Sequence, residues 1–107
     1  MIRRRSVVLS PEAIDHLGAI YDWIAQAASP DIALGYIGRL EAYVRGFDVA
    51  SERGTLRNDV RPGLRVTGFE RRITVAFTVS DDRVEILGFY AGGQNWEDIL
   101  GDSGDLQ

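Results

Sequence analysis

The side chains in this 107-residue chain with the most obvious chemistry are its arginines. All 12 cations are arginine, set against 16 acids, for a net charge of −4. Six of them (Arg53, Arg57, Arg61, Arg65, Arg71 and Arg72) fall between residues 53 and 72, opposed only by Asp59 and Glu70, a local charge of +4. Residues 73–107 hold Arg83 against seven acids, a local charge of −6. A guanidinium is planar, permanently charged and shaped for two-point contact with carboxylate or phosphate. The basic stretch therefore predicts a local anion-contacting surface. The acidic whole predicts no direct nucleic-acid binding, because neutralising a phosphate backbone needs many cations on one face.

Other chemistries have little to draw on. The chain has no cysteine and one histidine, His16, which excludes disulfides, thiolate zinc sites and a His-rich metal centre. No metal or cofactor is expected. His16 lies off the apolar stripe of its helix and reads as a surface residue without a role. Asp81-Asp82 reads as a turn, since paired catalytic carboxylates need a shared desolvated site. Gly92-Gly93 lacks the flanking pattern of a phosphate loop and reads as a bend at a strand end. Tyr90 and Trp96, near the end of the chain, are suited either to a target contact or to closing the core beneath the tail.

The elements that must position these residues follow from periodicity. Ser6-Val7-Val8-Leu9 reads as a short strand. Ser10-Pro11-Glu12 starts a helix: serine caps, proline takes the first turn, and glutamate faces the positive end of the dipole. Apolar residues then recur at Ile14, Leu17, Tyr21, Ile24 and Ala28, with Ile20 and Trp23 widening the stripe. Ser29-Pro30-Asp31 repeats the start signal, and Ala33, Ile37, Leu40, Val44 and Phe47 form the second stripe, flanked by Tyr36 and Tyr43. Two helices with almost no loop between them make an antiparallel hairpin. Residues 50–63 read as a loop.

Beyond it the period becomes two. Leu64, Val66, Ile73, Val75 and Phe77 are expected to face the helices, with Arg65, Thr67, Arg72, Thr74 and Thr78 on the opposite, open face. Residues 84–90 form a last strand, apolar on both sides. The expected architecture is α+β, in the order β-α-α-β-β-β: a helical hairpin on one face of a small antiparallel sheet, in a single domain over residues 1–107 with 101–107 as a flexible acidic tail. At 45% hydrophobic and 26% charged residues the composition suits one globular core. No apolar run approaches a membrane span, and the three-residue run after Arg5 is too short for a signal peptide. A cytoplasmic address is expected.

Several segments taken in order resemble the ParE branch of the RelE/ParE toxin superfamily. They are Leu9-Ser10-Pro11-Glu12-Ala13, Ala33 with Tyr36-Ile37, Arg53-Gly54, Arg61-Pro62-Gly63-Leu64-Arg65, Ile73 to Phe77, Val84 to Leu87 and the glycine-aromatic run Gly92 to Trp96. The resemblance covers residues 6–100 and implies a cytoplasmic toxin of a type II toxin–antitoxin pair. It implies a ParD-like antitoxin that neutralises it in a hetero-oligomer, and DNA gyrase as the protein target. The alternatives it carries are a ribosome-dependent RelE-like messenger RNA endonuclease, and a decayed or retargeted toxin that only binds its antitoxin.

The nuclease reading is disfavoured by residue type, so no catalytic residue is expected. Cleaving RNA without metal needs a base, an acid and cations for the phosphorane. Arg65 matches one family arginine and Arg72 a neighbouring position. Where relatives commonly read His-Gly-x-Arg-Asp, however, this chain reads Ala91-Gly92-Gly93-Gln94-Asn95, and Gly88 stands where many carry arginine. The candidate contacts to target or antitoxin are Arg65, Arg72, Arg61, Tyr36, Tyr43, Tyr90 and Trp96.

Overall fold

The computed structural model describes residues 4–92 and 94–104, and the side chains up to residue 101. The elements are β1 (Ser6–Leu9), α1 (Pro11–Ala27), α2 (Pro30–Arg45), a 3-10 turn (Gly46–Asp48), β2 (Thr55–Leu56), β3 (Arg65–Phe69), β4 (Ile73–Val79), β5 (Arg83–Ala91) and α3 (Trp96–Gly104). Both helix starts form as their sequences dictate. The Ser10 hydroxyl accepts from the Ala13 amide at 3.0 Å, and the Ser29 hydroxyl from the Ile32 amide at 3.1 Å. Each proline sits in the first turn, where no amide is needed.

The five strands form one sheet in the order β1-β5-β4-β3-β2. β2 to β5 are antiparallel neighbours, but β1 runs parallel to β5, with Ser6 opposite Arg83 and Leu9 opposite Ile86. The sheet is therefore mixed rather than purely antiparallel. A parallel neighbour needs a long crossover, and here the helical hairpin and the meander lie between the two strands in the chain. The segment expected to be loop contributes the edge strand Thr55–Leu56, and α3 runs to Gly104, into the stretch expected to be tail. Residues 105–107, Gly93 of the tail motif, and Ile2 and Arg3 lie outside the described residues.

The main core lies between the hairpin and one face of the sheet. Leu17, Ile20, Tyr36, Leu40, Val44 and Phe47 meet Phe69, Ile73, Val75, Phe77, Ile86 and Phe89 there. The two helices are rotated slightly from the expected stripes. Ala13, not Ile14, is buried on α1, and Tyr36 lies in the core rather than on the flank of α2. Ile14 and Trp23 are each 57% exposed, so Trp23 does not pack the hairpin as expected.

Candidate functional site

Two features of the sheet decide which side chains share a face. The first is the tight connection between β3 and β4, where Phe69 pairs with Ile73 across Glu70-Arg71-Arg72. Glu70 and Arg71 take left-handed backbone conformations, with φ of 50° and 61°. Because Ile73 faces the helices, Phe69, Thr67 and Arg65 face them too, and Leu64 and Val66 face the other way. That is the reverse of the sequence expectation for β3; a shift of one residue in phase exchanges the two faces of a strand.

The second feature is a bulge in β5. Ala76 pairs with Gly88 and Phe77 with Ile86, leaving Leu87 as the extra residue. Val84 and Ile86 face the helices before it, and Phe89 does so after it. Leu87 and Tyr90 are directed to the second face. The bulge opens backbone groups at the end of β1, and α1 satisfies them. The Ser10 amide donates to the Ile86 carbonyl at 2.9 Å, and its hydroxyl donates to the Leu87 carbonyl at 3.0 Å. The Phe89 amide donates to His16 Nδ1 at 3.1 Å. That bond puts the imidazole proton on Nε2. Burial pushes the His16 pKa below its ordinary value, against the opposing pull of Asp15 and Glu12. His16 is thus a structural acceptor and not the idle surface residue its position suggested.

Gly88 lies beneath this arrangement. The His16 and Tyr90 rings meet edge to face with centroids 5.1 Å apart. A Cβ on Gly88 would come within 2.7 Å of the Tyr90 hydroxyl oxygen and 2.9 Å of His16 Cε1. Any side chain here would displace both rings. Tyr90 is buried with Leu64, Ala76 and Leu100, and burial raises its hydroxyl pKa, with the charge of Arg61 acting the other way. Trp96, half-buried, packs on the same cluster as the first residue of α3.

The arginines of residues 53–72 do not converge. Arg53 stacks 4.5 Å from the Phe47 ring centroid, and its guanidinium donates to the Ala50 and Gly46 carbonyls beyond the end of α2. Arg57 pairs with both Asp59 and Glu97 at 2.7 Å and lies 5.3 Å over the Trp96 ring, which fastens α3 to the loop. These bonds, that with Asp59 foremost, raise its pKa, and they hold Asp59 below the usual carboxylate range. Arg65, on the helix-side face, donates to the Arg53 carbonyl at 3.2 Å. Arg61 stands half-buried near Tyr90. Arg71 and Arg72 are exposed, and their guanidinium groups have no hydrogen-bond or ion-pair partner among the described residues.

The tyrosines divide similarly. The Tyr43 hydroxyl donates to the Gly68 carbonyl and meets Thr67 Oγ1, each at 3.2 Å, so it ties α2 to β3. Tyr36 is 8% exposed, its ring edge-on to Phe69 at 5.6 Å, and its hydroxyl has no hydrogen-bond partner. Burial raises the pKa of that hydroxyl. The structure therefore brings Arg72 and Tyr36 together at the rim of one groove and groups Arg61, Tyr90 and Trp96 on the other face, with Arg65 and Tyr43 built into the framework. Among the described residues, no helix is long and apolar enough to cross a membrane.

Comparison with protein families matches residues 7–96 to the ParE toxin of type II toxin–antitoxin systems, parDE. Among solved structures, a chain described as "Chromosomal ParDE TA system from P. aeruginosa" superposes with a TM-score of 0.73 at 24% identity, covering 83% of this chain and 97% of that one. No curated protein matches.

Proposed function

The chain belongs to the ParE toxin family of type II toxin–antitoxin systems, and from that premise we propose that it inhibits DNA gyrase by protein–protein binding and is neutralised by a ParD-like antitoxin. The observation that carries this reading over RNA cleavage is the filled space at Gly88. The resemblance puts a phosphate-facing arginine at this position in many relatives, and here the Tyr90 and His16 rings leave no room for one. The other matched arginine, Arg65, faces the opposite side of the sheet and is bonded to a backbone carbonyl. Each cation lost from a phosphorane site costs about 2–4 kcal/mol of transition-state stabilisation. Inhibition by binding needs no such group, only a complementary surface, to which Arg61 and Arg72 are the arginines of the candidate set left to contribute.

The antitoxin reading is supported by the edge of the sheet. β2 is two residues long, both exposed, and only one of its sides is paired. An extended partner segment can add a strand there. Co-expression with its antitoxin is expected to raise the yield of the chain. The test is a supercoiling assay with gyrase and stoichiometric purified chain: supercoiling stops, and added antitoxin restores it. Supercoiling untouched at molar excess overturns the gyrase reading.

A further inference from the structure

The tip of the helical hairpin and the β3–β4 turn enclose a groove of about 770 Å³, walled by apolar side chains that include Ile20, Ile24 and Ile73. Beside this hollow stand protrusions of the same character. Trp23 and Ile32 line its rim while 57% and 58% exposed, and Leu34, at 60%, follows on α2. The charges are divided in the same way. Arg71 and Arg72 mark the sheet side of the rim, in a turn fixed by its left-handed residues and by the two-point bond of Arg39 to Glu70 at 2.9 and 3.2 Å. On the hairpin side, the exposed carboxylates of Asp22 and Asp31 adjoin Trp23 and Ile32, with no hydrogen-bond or ion-pair partner among the described residues.

A surface for an unlike partner need carry only one half of a complementary pair. This one carries both halves: hollow and knob, cation and anion. That is the requirement of a two-fold interface, where one patch must complement itself. We propose that a second copy of the chain docks on this patch in a symmetric dimer. Trp23 of each copy enters the groove of the other, and Asp22 and Asp31 of each meet Arg71 and Arg72 of the other. This inference goes beyond the gyrase and antitoxin reading and stands or falls independently of it.

The test uses the purified full chain alone, by sedimentation between about 1 and about 100 µM, the range in which dimers of moderate affinity form. A species of twice 11.9 kDa is expected to grow with concentration. Trp23→Glu, at an exposed position, weakens the dimer at least tenfold. The pair Arg71→Glu/Arg72→Glu and the pair Asp22→Arg/Asp31→Arg are each monomeric alone and form a mixed dimer when combined, because all four charge contacts are then restored. A wild-type chain that stays monomeric throughout, for instance because the groove serves a foreign segment only, overturns the proposal. So do charge variants that remain dimers, or a mixture that does not reassociate.

Discussion

The two faces of the sheet are built on different terms. On the helix side, Phe47, Phe77, Phe89 and Leu40 are almost fully buried beneath two long helices, with Tyr43, Phe47 and Phe77 in successive ring contact at 5.3 and 4.8 Å. On the other side, Leu64, Ala76, Tyr90 and Leu100 form a small cluster under a nine-residue helix held by Arg57. The first face is an ordinary hydrophobic core. The second is a thinner layer, in which Tyr90 and Trp96 pack with Leu64, Ala76 and Leu100.

Mutations should separate the two faces by size of effect. Phe77→Ala is expected to cost about 3–5 kcal/mol in chemical denaturation, since it opens a cavity where the helices cannot collapse. Leu100→Ala, on the thinner cap, should cost only about 2 kcal/mol. Equal losses at the two sites would mean that the second cluster is as much a core as the first.

The next largest effect tests the glycine cradle. Gly88→Ala should destabilise by about 1–3 kcal/mol through forced movement of the two rings, and Gly88→Arg should do no less. If Gly88→Arg folds with full stability, the space is open and the packing account of this face is wrong.

Acid should weaken the same region. Burial lowers the His16 pKa, so folding favours the neutral ring. Its contribution is fully present above the unfolded value of about 6.5 and is lost as pH falls through the lower folded value. The groups facing it are Glu12 and Asp15 on its own helix and Tyr90, itself under the influence of Arg61, on the sheet. Stability measured from neutral to mildly acid pH should fall more steeply in wild type than in His16→Gln. Parallel slopes would show that the Phe89 amide does not depend on the neutral ring. The smallest effect is expected at Arg57→Ala: faster amide exchange confined to α3 and little change in global unfolding, because exposed ion pairs contribute little.

Much of the fold was legible because local signals agreed. Each Ser-Pro-acid triplet starts a helix, and the alternation of Ile73, Val75 and Phe77 fixed the helix-facing side of β4. The face of β3 was misread because Leu64 and Val66 gave the expected alternation while pointing to the second cluster. Phe69, two positions on from Thr67, carried the correct phase through its pairing with Ile73. The Leu87 bulge is invisible in a strand apolar on both faces, and with it the roles of Ser10 and His16 as backbone partners. The arginine-rich segment was legible as composition but not as a surface. Whether a guanidinium meets a carbonyl, a carboxylate or solvent depends on tertiary neighbours such as Glu97, 40 residues from Arg57.

The central proposal is that the chain acts by binding and that its second face packs and does not catalyse. It is tested most directly by adding purified chain to a translating extract and following the messenger. The account predicts intact messenger with the wild-type chain, at concentrations that stop gyrase. Messenger cut by the wild-type chain and spared by Arg61→Ala, beside Tyr90 on that face, would contradict it.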